Sequence, residues 1–166
     1  MKKYTVEDIE KIPKDKLLKL INVGKKHIKK NKIVIDMFDK EGVDLDYIDL
    51  IPIYFKSLDV SAQTIKGVIY LNYKLAEENV DFNSYLVHEL THFVSQITGT
   101  KATKNTDDLY GKDYLESPEE IKAFKNQIQY IDKEVGKNEA DKYVNNLIKY
   151  HKINNNDKNK IKKKLT

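Results

Sequence analysis

An α+β fold follows from three features of the sequence. Residues 13–42 carry apolar side chains at near-helical spacing. Two short runs between residues 49 and 73 are rich in β-branched and aromatic residues, as strands are. From residue 81 onward the helical spacing returns in successive segments.

In order along the chain, "PKDKLLKLINVGKKHIKKNKIVIDMFDKEG" places Leu17, Leu18, Ile21, Ile28, Ile35 and Phe38 on helical spacing. Pro13 suits its start and Gly42 its stop, so one long or broken helix is predicted. "DLIPIYFKSL" reads as a strand, at an edge because of its proline. "TIKGVIYLNY" reads as a second strand with Gly67 at its start. Residues 81–98 follow a helix pattern capped by Gly99. "TGTKATKNTDDLYGKDYLE" is polar and turn-rich and is predicted as a loop. "SPEEIKAFKNQIQYIDKEV" and, past Gly136, "NEADKYVNNLIKY" are two further helices. The tail "INNNDKNKIKKKLT" is low in complexity and is expected to fray. The predicted organisation is one domain over residues 1–151 and a flexible Lys/Asn-rich tail over 152–166.

Composition narrows the function. Apolar residues make up 40% and charged ones 34% of the 166, a globular balance. No apolar run approaches a membrane span, and "MKKYTVEDIEKIPKDK" lacks the apolar core of a secretory signal. The expected location is therefore cytoplasmic. There is no cysteine, so any metal must be held by His, Asp or Glu. The net charge of +4 is uneven: residues 1–32 carry eleven Lys against four acids, residues 152–166 six Lys against one Asp, and the remainder sums to −8. All thirty basic residues are lysine. Arginine is the residue that reads bases and phosphates bidentately, so its absence counts against sequence-specific nucleic-acid recognition.

"YLVHELTHFVSQITG" carries the sharpest signal. On a helical wheel Leu86, Leu90, Phe93, Val94 and Ile97 share one side, while His88 and His92 fall opposite, near Tyr85 and Ser95. Histidines off the apolar stripe are not core residues, which leaves a solvated pair or a metal pair. Side chains four apart on a helix stack on one face, so two imidazoles can reach one ion. Glu89 then lies beside that ion, where it can take a proton from a metal-activated water. This His-Glu-x-x-His spacing is the metallopeptidase motif.

Catalytic zinc takes three protein ligands. His27 and His151 lie in lysine-rich helix patterns and read as solvated. The candidates for the third ligand are Glu116, Glu119 and Glu120 in "DYLESPEEIKAF", with Glu120 preferred. Glu120 has a rival role. Ser117 suits a helix N-cap, Pro118 the first helical position, and Glu120 the third, completing a capping box.

With those residues assembled, the chain resembles the small gluzincin-type zinc metallopeptidases, in which two His and a Glu on a later helix bind zinc. "HELTH" followed by "YLESPEEIKAF" is similar to the Tyr, Pro, Glu, Ala pattern of phage and mobile-element metallopeptidases. The 28 positions from His92 to Glu120 are a similar gap to theirs. Lys122 stands where many of them carry another Glu before the Ala. The resemblance covers roughly residues 50–130. It implies a zincin-like fold: a small mixed sheet packed against an N-terminal helix, the active-site helix and C-terminal helices. It also implies a Tyr that stabilises the oxyanion, for which Tyr114 is the first candidate and Tyr110 the second. The strand "GVIYLNYK" could pair with an extended substrate.

The expected function is a zinc-dependent peptidase acting on a peptide or protein. Zn2+ is held by His88, His92 and Glu120, with Glu89 as general base. The alternative is a zincin-fold regulatory protein without turnover, docking an acidic partner or nucleic acid through its lysine-rich ends.

Overall fold

The computed structural model describes residues 12–99 and 109–166. It is an α+β structure with nine helices and a three-stranded sheet among the described residues. Its backbone contacts divide the chain into two units, residues 1–99 and 100–166. The start of the chain and the first part of the expected loop, residues 100–108, lie outside the described residues.

In the first unit the long N-terminal pattern is broken into α1 (Lys14–Lys29) and α2 (Lys32–Lys40). The break is at Asn31, whose side chain accepts from the Ile33 backbone N at 2.9 Å and starts α2. A short helix, α3 (Tyr47–Leu50), follows. Lys25 reaches its C-terminal end, donating to the Ile51 carbonyl at 2.9 Å, and Lys29 pairs with Asp49 at 2.7 Å. Carbonyls at a helix end lack intrahelical partners, so lysines are suited to this position.

The sheet comprises β1 (Ile53–Lys56), β2 (Ala62–Ile65) and β3 (Val68–Asn72), in the order β1-β3-β2. β1 is parallel and β2 antiparallel to β3, so the sheet is mixed. The segment "TIKGVIYLNY" is therefore a hairpin rather than one strand. Lys66 (φ 49°) and Gly67 (φ 78°) form its two-residue turn, the positive-φ pair that matches strand twist. β3, expected to offer an edge to substrate, is instead the centre strand, and the edges belong to β1 and β2. Asn72 closes the sheet from within: its amide donates to the carbonyls of Leu58 and Val60 at 3.0 and 2.9 Å. Its Oδ1 accepts from the Lys74 backbone N, starting α4 (Tyr73–Glu77).

Helix α5 (Asn83–Ile97) packs against α1, α2 and β2. Gly24 of α1 permits the close approach: a Cβ there would sit 3.0 Å from both Asn83 Oδ1 and Phe82 Cε2.

The second unit is helical. α6 (Gly111–Glu116) forms within what reads as loop, followed by α7 (Pro118–Glu134), α8 (Lys137–Tyr150) and α9 (Asn155–Leu165). Its core joins Leu115, Phe124, Ile128, Val144, Ile148, Ile161 and Leu165. The expected frayed tail is thus a packed helix. Asn154 caps it by accepting from the Asp157 backbone N at 3.0 Å, and Ile161 and Leu165, one turn apart, are buried in the core. No described helix is long and apolar enough to cross a membrane.

Candidate metal centre

Helix α5 brings three ligand-type side chains together. The Nε2 atoms of His88 and His92 lie 3.3 Å apart, with ring centroids at 5.0 Å and planes at 64°. Glu89 completes the group: one ligand atom from each of the three falls within 4.8 Å of the others. The cause is local, since residues 88 and 92 stack one turn apart and Glu89 follows the first of them.

The group fits a tetrahedral ion. Two nitrogens each about 2.0–2.1 Å from such an ion stand about 3.3–3.4 Å apart, and the observed separation is 3.3 Å. The same separation is within hydrogen-bond reach of the two ring nitrogens. Two imidazoles are nitrogen donors that zinc accepts, and the chain has no thiolate.

Burial changes what the helical wheel suggested. His88 is 8% and Glu89 5% exposed, while His92 is half-buried. A solvated pair is therefore not what α5 carries. The face opposite the apolar stripe is covered as well, and Leu86, Val87, Leu90, Thr91, Phe93 and Val94 are buried with it. Ile97, counted on the stripe, is exposed at the helix end.

Hydrogen bonds fix the helix in place. Thr64 of β2 donates to the Glu89 carbonyl at 3.2 Å. Thr91 Oγ1 lies 3.0 Å from the Val87 carbonyl and 3.3 Å from Met37 Sδ of α2. Burying a carboxylate and imidazoles costs several kcal/mol unless they are paired or coordinate a metal.

The remaining candidates belong to the second unit. Glu120 sits in the first turn of α7 and is 3% exposed, where the helix N-terminus favours a negative charge. The expected reciprocal capping box does not form. Ser117 is the N-cap residue but makes no side-chain cap hydrogen bond; its hydroxyl turns back and donates to the Tyr114 carbonyl at 3.0 Å. Glu116 is engaged by Lys164 at 3.3 Å, and Glu119 is half-buried. Tyr110 is 84% exposed. Tyr114 is held between rings, edge-on to Phe124 at 6.0 Å and stacked on His151 at 5.1 Å and 22°.

His151 is the residue that sequence reading missed. His27 is exposed as expected, whereas His151 is half-buried at the C-terminal end of α8. Burial lowers its pKa below the ordinary histidine value, and the Glu120 carboxylate opposes that shift. No spacing in the sequence links position 151 to 114 or 120; only the packing of the helices does. Compared with protein-family models, with curated proteins and with solved structures, the chain matches none.

Proposed function

We propose that the chain is a zinc-dependent peptidase with a zincin-like fold. One observation carries this reading: two imidazole nitrogens 3.3 Å apart beside the buried carboxylate of Glu89. Zinc, when bound, supplies a Lewis acid that brings the pKa of a water near neutrality. His88 and His92 are its ligands on α5. Glu120 is the third ligand on the ground of the sequence resemblance alone.

Glu89 accepts the proton of the attacking water and hands it to the leaving amine. Its burial keeps bulk water from screening the carboxylate, which strengthens each of its charge interactions. Tyr114 donates a hydrogen bond to the charge that develops on the peptide carbonyl oxygen. An extended substrate pairs with the edge of β2 (Ala62–Ile65), because β3 is already flanked on both sides and β2 is the strand packed on α5.

The test is a mixed-sequence peptide library incubated with the zinc-loaded chain, with new termini read by mass spectrometry. New termini should appear and should vanish with a chelator and in Glu89→Gln. A library left intact, or cut equally by Glu89→Gln, overturns the proposal.

A further inference from the structure

Away from α5, the second unit holds a basic cleft that the peptidase reading does not use. It has a volume of about 390 Å³. α8 contributes Asn145, Asn146 and Lys149, the connecting turn Lys152 and Ile153, and α9 Lys158, over the buried Ile148. We infer that this cleft binds a single nucleic-acid strand through its phosphates, without reading its sequence.

Charge is the first argument. Three amines and two carboxamides line the cleft, and no carboxylate does. Asp157, next to Lys158 in the chain, is engaged by Lys112 at 3.4 Å, and the exposed Asp141, one turn before Asn145, does not line the cleft. Among the described residues, none forms an ion pair with Lys149, Lys152 or Lys158. Like charges gathered in one concavity repel, and a phosphate chain relieves that repulsion while releasing its counterions.

Shape and surroundings select the polymer. Lys162, one turn after Lys158 on the same face of α9, continues the positive charge past the cleft. Tyr150 is 75% exposed and shares a helix face with the lining residue Asn146, four positions before it. Together with the half-buried Ile153, it suits an unstacked base, which a single strand presents and a duplex does not. The turn that carries Lys152 is fixed: its φ is 54°, and Lys152 N and Ile153 N donate to the Lys149 and Ile148 carbonyls at 3.1 Å each. Lysine ammonium groups act on phosphate as point charges and lack the fork that reads guanine, so the binding is indifferent to sequence.

The test uses the full chain and a fluorescein-labelled oligothymidylate, with affinity followed by anisotropy from about 50 to about 300 mM salt. Replacing Lys149, Lys152 and Lys158 together by Gln should weaken binding at least tenfold at the low-salt end. It should also flatten the log–log salt slope by about 2, the effect of losing three single-strand phosphate contacts. Tyr150→Ala should weaken binding severalfold with the slope unchanged, since it removes stacking and no charge. A control replacing Lys125, Lys133 and Lys137 by Gln, equal in charge and on exposed sites, should stay within about twofold, as the effect belongs to the cleft rather than to net charge. Should the half-buried Lys158 disturb folding, Lys149→Gln with Lys152→Gln serves in its place. Equal weakening in the control, a duplex bound as tightly as the strand, or no binding by the unaltered chain would each overturn the inference.

Discussion

Helix α5 (Asn83–Ile97) buries His88, Glu89 and Thr91 together with its apolar residues, whereas α9 (Asn155–Leu165) buries only Ile161 and Leu165 and leaves most of its polar residues at least partly in water. Both are amphipathic by pattern. They differ in how much of their circumference neighbours cover, and so in what their polar side chains cost. Polar groups on α5 bear a desolvation penalty that their partners must offset. Lysines on α9 bear almost none, and a solvated lysine says nothing about function until several converge on one concavity. Buried polarity is thus the stronger pointer to chemistry in this molecule.

That contrast can be broken from several directions. The largest effect should come from Glu89→Gln, which removes a proton acceptor and little volume. Peptide hydrolysis should fall by about 10²–10⁴-fold, while metal analysis should show zinc retained. Loss of the zinc along with the activity would make Glu89 a ligand instead of a base.

Next come the apolar anchors of the two helices. Leu90→Ala on α5 and Ile161→Ala on α9 remove fully buried side chains, and each should cost about 2–5 kcal/mol in urea unfolding. The second substitution is the more telling. If residues past 152 frayed, Ile161→Ala would cost no more than a surface change, about 0.5 kcal/mol or less.

A smaller loss is expected from Gly24→Ala. The added methyl would meet the side-chain atoms Asn83 Oδ1 and Phe82 Cε2 at 3.0 Å, an overpacking cost of about 1–3 kcal/mol set against about 1 kcal/mol of helix propensity gained. A neutral or stabilising result would show that the contact yields.

The smallest effect concerns pH. Burial holds the folded-state pKa of His151 below its ordinary 6.5, with Glu120 opposing. Between those two values the unfolded chain binds more protons, so stability rises with pH across that window and is lost as the pH falls through it. Unfolding midpoints measured on either side of the window should therefore differ, and His151→Gln should narrow the difference.

Much of this architecture was legible in the residues. The helical spacing of residues 13–42 left one long or broken helix open, and the cap at Asn31 is what divides it into α1 and α2. The four-residue spacing of His88 and His92 required their convergence on any helix. The hairpin was missed because Lys66-Gly67 lacks the Asn-Gly signal, although Gly67 supplies half of the turn. α9 was missed because only two apolar residues hold it, against a lysine-rich background that reads as solvated. The burial of His88 and Glu89 could not be seen on a wheel, which ranks the faces of a helix without knowing what covers them. The failed capping box is similar: Ser117 has the right residue type, yet its hydroxyl is taken by the Tyr114 carbonyl.

The most direct test is calorimetric titration of zinc into the metal-free chain, alongside His88→Ala and His92→Ala. One zinc per chain is predicted, with affinity falling by more than about 100-fold in each variant, since even groups that only support a ligand cost 10–100-fold. No zinc uptake by the unaltered chain, or equal uptake by His88→Ala, would contradict the metal centre.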